Sequence, residues 1–66
     1  MNTIIRKNNF SKKEYKGKNK DALRWARKYG TFCGNETVII YNESGKAISG
    51  AKYMIETDDY YRININ

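Results

Sequence analysis

Apolar positions along this chain recur at two different periods. Between Asn19 and Gly30, in NKDALRWARKYG, the residues Ala22, Leu23, Trp25, Ala26 and Tyr29 fall within an arc of roughly 160° at about 100° per residue. Lys20, Arg24, Arg27 and Lys28 fall within about 100° on the opposite side. This pattern predicts the one substantial helix. Asn19 is the expected N-cap, Asp21 favours the positive end of the dipole, and Gly30 is expected to close the helix in the left-handed region.

Elsewhere the pattern is that of strands. Thr3–Lys7 reads as a short first strand, expected to pair with the last strand at a sheet edge. Glu36–Tyr41 is the clearest strand. Asn42-Glu43-Ser44-Gly45 predicts a type I turn with Gly45 left-handed, which closes a bulged hairpin. That geometry sets Tyr41 opposite Ala47 and Ile40 opposite Ile48, with Val38, Ile40 and Ile48 on the helix-facing side. A bulge at Ser49-Gly50-Ala51 would then bring Ala51, Tyr53 and Ile55 to the same side. Tyr60–Ile65 alternates, with Tyr61, Ile63 and Ile65 expected inward and Tyr60, Arg62 and Asn64 outward.

Between the first strand and the helix, Ser11 and Glu14 match a capping box, with Phe10 and Tyr15 as its hydrophobic staple. This predicts a helical turn from Ser11, ended by Gly17. Thr31–Asn35 reads as a connector with Phe32 and Cys33 partly buried and a turn at Gly34-Asn35. The expected fold is α+β: one domain over residues 1–66, in the order β-α-β-β-β. An antiparallel sheet of three or four strands would carry the main helix across one face. Trp25, Leu23, Ala26 and Tyr29 are expected to meet Val38, Ile40, Ile48, Ile63 and Ile65.

Charge changes this picture most. Residues 1–30 carry a net +8 and residues 31–66 a net −2, and Asp21 is the only carboxylate in the helix segment. Solvated helix faces usually mix signs for i,i+4 pairing. A segregated basic face suits a polyanion or an acidic surface. The expected binding residues are Lys12, Lys13, Lys16, Lys18, Lys20, Arg24, Arg27 and Lys28, gathered on one outward patch. A second candidate surface is the sheet face away from the helix, with Ile39, Tyr41, Tyr60 and Arg62. It suits a protein interface, a homodimer or base stacking.

The catalytic inventory is thin. The chain has no histidine and one cysteine, which removes the usual neutral-pH base, a structural zinc site and an internal disulfide. Glu56, Asp58 and Asp59 lack the spacing of a calcium loop, and no phosphate-binding glycine motif occurs. No metal or cofactor is expected. No apolar run is long enough to span a membrane and no signal-peptide core is visible, so a cytoplasmic protein is expected. Frequent Lys, Asn, Ile and Tyr fit AT-rich coding, as in a low-GC bacterium or its phage. The sequence therefore reads as a non-catalytic binding protein. Its expected partner is nucleic acid, DNA or RNA, held by its backbone. The alternative is an inhibitor or adaptor of phage or mobile-element type, docking on an acidic surface of a host nucleic-acid-processing complex.

Overall fold

The structure is a computed structural model that describes residues 1–30 and 34–65. In chain order the elements are β1 (Asn2–Lys7), β2 (Lys12–Gly17), α1 (Ala22–Tyr29), β3 (Thr37–Tyr41), β4 (Ala47–Met54) and β5 (Asp59–Arg62). The strands form one antiparallel sheet in the order β2-β1-β3-β4-β5, with α1 packed over β3, β4 and β5. The α+β architecture with a helix across one face is as the patterning predicts. The sheet has one strand more than expected, and β1 lies inside it, paired to β2 and β3, rather than at an edge beside the last strand.

The extra strand is β2, where the sequence suggested a helical turn. The capping-box residues serve a hairpin instead. Asn8 Oδ1 accepts the backbone N–H groups of Phe10 and Ser11, both at 2.8 Å, and fixes the turn between β1 and β2. Tyr15 then sits opposite Ile4 and stacks on Trp25 at 5.3 Å between ring centroids. A tertiary contact and the free edge of β1 outweigh a local capping signal.

The helix begins two residues later than expected. Asp21, not Asn19, is the N-cap, and its carboxylate accepts the N–H groups of Leu23 and Arg24. Ser49 Oγ on β4 accepts a further first-turn donor, the Ala22 N–H, at 2.8 Å. Asn19 contributes its carbonyl to Asn2 Nδ2 instead. Gly30 is extended (φ −66°, ψ 155°), not left-handed. A glycine is required there because a Cβ would run into the Tyr60 hydroxyl and the Ala26 carbonyl.

Ile4, Ala22, Trp25, Ala26, Val38, Ile40, Ala51, Tyr53 and Tyr60 form the core, with Leu23 packed at its margin. Alanines on α1 and β4 let helix and sheet approach closely. The hairpin turn at 42–45 forms as predicted, with Gly45 at φ +82° and Tyr41 opposite Ala47. The predicted bulge exists but falls earlier. Ile40 faces Ser49, so Ile48 is the extra residue and is exposed. The parity flip still brings Ala51 and Tyr53 to the core, while Ile55 lies beyond the strand in the open.

β5 has the opposite parity to that expected. The register Tyr53↔Tyr60 puts both rings on the helix side, in edge contact at 5.5 Å, and leaves Tyr61 on the far face. Ile63 and Ile65 follow the strand and lie over Gly50 on the far face, where a Cβ would stand 2.9 and 2.6 Å from them. They do not meet the helix. Tyr29 is half exposed at the helix end. The expectations for Phe32 and Cys33 lie outside the described residues.

Candidate nucleic-acid interface

Backbone parity sorts the cations. Along β1, Ile4 and Arg6 face the helix side, while Thr3, Ile5 and Lys7 face away. Their β2 partners Tyr15 and Lys13 face the helix side, and Lys16, Glu14 and Lys12 face away. Lys12 thus leaves the expected patch, while Lys16 faces away from the helix yet still borders the groove between α1 and the hairpin. Lys16 Nζ donates to Thr3 Oγ1 at 2.7 Å and lies 3.5 Å from Glu14.

Arg27 leaves it too. Its guanidinium forks the Asp59 carboxylate at 3.1 Å on the β5 side of the helix. With Arg27 turned to β5, the helical wheel places Trp25 on the opposite flank. Lys28 lies about 60° and Arg24 about 100° further round from Trp25, away from Leu23. Arg24 and Lys28 therefore overhang the side of the helix that faces β1 and β2. Lys18 and Lys20 lie in the connection entering α1.

The helix does not cover that side of the sheet. Between α1 and the β1–β2 hairpin runs an open groove of about 400 Å³, lined by Ile4, Arg6, Tyr15, Lys16, Trp25 and Tyr29, among others. Its floor is aromatic. Trp25 stands between Tyr15 and Tyr29, with centroids 5.3 and 5.4 Å away. Lys28 Nζ lies 5.2 Å from the Tyr29 ring. No carboxylate lines the groove among the described residues. Lys16 lines it, Lys13 shares its side of the sheet, Lys28 and Arg24 overhang it from the helix, and Lys18 and Lys20 lie in the connection beside it. Lys13, Lys18, Lys20, Arg24 and Lys28 make no ion pair among the described residues. The expected single patch of eight cations is thus divided, with Lys12 and Arg27 turned away from the groove.

Beneath the groove lies a cluster that the sequence reading did not single out. Glu36 is 1% exposed. It accepts Arg6 Nε at 2.7 Å, a second Arg6 donor, and the Tyr60 hydroxyl. Arg6 also donates to the Tyr29 carbonyl at 2.8 Å and lies 5.6 Å from the Trp25 ring. Arg6 shares the parity of Ile4, and that alternation was the available signal. Glu36 likewise shares the parity of Val38 and Ile40, although its charge argues against burial. With both oxygens engaged, its carboxylate is a structural anchor that orients the groove floor.

The far-face set is also divided. Ile39 and Tyr41 lie there, beside Ile5, in a shallow trough of about 940 Å³. Tyr60 does not, being 3% exposed and bound to Glu36. Arg62 does not either, since it forks Asp21 at 2.9 and 3.0 Å on the helix side. That guanidinium holds the Asp21 carboxyl below its usual range, helped by the Arg24 and Leu23 N–H groups. At the other end of the sheet, the Tyr53 hydroxyl donates to Asp58 at 2.6 Å. That bond pushes the phenol up to about 12.

Among the described residues no group of three or more acids or thiols could hold a metal ion, and no helix is long and apolar enough to cross a membrane. No family model matches the chain, and neither the curated proteins nor the solved structures give a match.

Proposed function

We propose that this chain is a small non-catalytic binding protein that holds a nucleic-acid strand along the groove between α1 and the β1–β2 hairpin. The observation that carries this reading is the composition of the groove. An aromatic floor with no carboxylate among the described residues carries Arg6 and Lys16 on its wall, Lys28 at the Tyr29 ring and Arg24 on the same flank of the helix, with Lys13 on the hairpin and Lys18 and Lys20 in the connection entering α1. Acids elsewhere are consumed in pairs: Asp21 with Arg62, Glu36 with Arg6, and Asp59 with Arg27. Unpaired cations bind phosphates and release counterions, while exposed rings such as Tyr15 and Tyr29 offer stacking faces.

The test compares two charge-removal variants for binding to fluorescent DNA and RNA oligonucleotides. Lys20→Gln/Arg24→Gln/Lys28→Gln strips the groove rim. Lys46→Gln/Lys52→Gln removes cations remote from it. The rim variant should bind far more weakly and lower the salt slope by about two to three. Equal effects per charge removed from both variants would contradict the groove.

A second reading, docking on an acidic protein surface, is favoured by the far face. Ile5, Ile39, Tyr41 and Ile63 form an uncovered apolar strip beside Lys7, Lys12 and Lys52.

A further inference from the structure

The tip of the β1–β2 hairpin is the least packed apolar feature of the molecule. Phe10 is 88% exposed, the highest value among the large hydrophobic side chains. Its placement is not slack. Asn8 Oδ1 accepts the Phe10 and Ser11 N–H groups at 2.8 Å, and the Asn8 N–H donates to the Ser11 carbonyl at 3.0 Å. The turn is held by its own hydrogen bonds and presents the ring outward.

Cations flank this ring on both faces of the hairpin. Lys7 and Lys12 are direct cross-strand partners on the far face, and Lys13 lies on the helix side. Like charges placed directly opposite destabilise a strand pair. All three lysines are exposed, and none makes an ion pair among the described residues. A tip that served only to connect two strands would not need an exposed phenyl between three unneutralised lysines. Membranes and acidic proteins also accept such a group. A bound strand already in the groove, however, would carry its phosphates past Lys13 towards this tip. A two-stranded ribbon also has the width to enter a major groove.

We propose that the hairpin tip is a stacking wedge. Phe10 packs against an unstacked base while Lys7, Lys12 and Lys13 hold the flanking phosphates. This proposal rests on the nucleic-acid reading and deepens it: the ligand must offer an accessible base face, as a single strand or a frayed duplex end does.

The test measures affinity for a 12-nucleotide single strand carrying 2-aminopurine, across a salt series, for the wild type, Phe10→Ala, Phe10→Trp and Lys7→Ala/Lys12→Ala/Lys13→Ala. Phe10→Ala should weaken binding roughly 5- to 100-fold and abolish the 2-aminopurine response, with no change in salt slope. Phe10→Trp should restore both. The triple lysine variant should lower the slope by about two. Thermal unfolding of Phe10→Ala should match the wild type, because the ring packs against nothing. Unchanged affinity in Phe10→Ala, with wild-type binding still salt-dependent, overturns the wedge and leaves the groove reading standing. Absence of oligonucleotide binding by the wild type overturns both, as does Phe10-dependent binding to anionic lipid vesicles alone.

Discussion

The two halves of this sheet are built to different ends. Over β3–β5, Ala22 and Ala26 of α1 pack directly on Val38, Ile40 and Ala51, and two ion pairs, Asp21–Arg62 and Arg27–Asp59, tie the helix to β5. Over β1–β2 the same side of the sheet has Ile4 buried and then a groove, with Lys13 in no ion pair among the described residues and Phe10 bare. A helix about 10 Å wide covers roughly two strand spacings of about 4.8 Å, so one short helix cannot cover five strands. The covered half supplies stability. The uncovered half is free to carry charge that packing does not use.

The deepest cut at this division is Glu36, which ties β1 to β5 through Arg6 and Tyr60. Glu36→Ala should cost about 3–5 kcal/mol, because it removes one partner of a largely buried ion pair and the acceptor of the Tyr60 hydroxyl. For a 66-residue chain, with about 3–10 kcal/mol of total stability, that removes a third or more, and circular dichroism on heating should show it. Replacing Arg6 and Glu36 together by Met and Leu should cost less than Glu36→Ala alone.

Neighbouring isoleucines on β3 separate the two faces of the sheet. Ile40 is fully buried beneath the helix, and Ile39 is half-buried on the far side. Ile40→Ala should cost about 2–5 kcal/mol by urea unfolding. Ile39→Ala should cost clearly less. Equal costs would mean that the far face is sealed by something other than solvent.

These differences were partly legible in the residues. The helix stripe could be read because Trp25, Ala22 and Ala26 are buried by a period that nothing else disturbs. The 42–45 turn could be read because Asn42 and Gly45 meet its backbone demands locally. β2 could not, since Lys12–Gly17 is polar but for Tyr15 and its strand state comes from pairing with β1. The parity of β5 could not either. Three isoleucine and tyrosine positions argued for one face, and the opposite face won because Tyr60 satisfies a buried carboxylate 24 residues away. Of the eight cations predicted for one patch, Lys12 and Arg27 turn away from the groove through strand parity and a partner on β5, neither of which a helical wheel can show.

Smaller effects sharpen the boundary. Asp21→Ala removes the N-cap and the Arg62 partner and should cost about 1–2 kcal/mol. Because the Asp21 pKa is lowered on folding, its contribution is present above the unfolded carboxylate value of 3.8. It fades as pH falls below that value and through the folded one. Tyr53 works in the opposite direction. Its pKa is raised from 10.0 to about 12, so its contribution is intact below pH 10 and is lost as pH rises towards 12. Ultraviolet titration should show a late-ionising phenol that Asp58→Asn brings back towards 10.

The claim that the uncovered half is a polyanion surface is tested most directly by one series. The wild-type protein is purified with nuclease and high salt, and its affinity for a labelled single strand is followed from low to physiological ionic strength. With about five phosphates engaged, log K should fall against log salt with a slope near −3.5, and near −4.5 on duplex DNA. Undetectable binding at low salt, or an affinity that salt does not alter, would contradict the account.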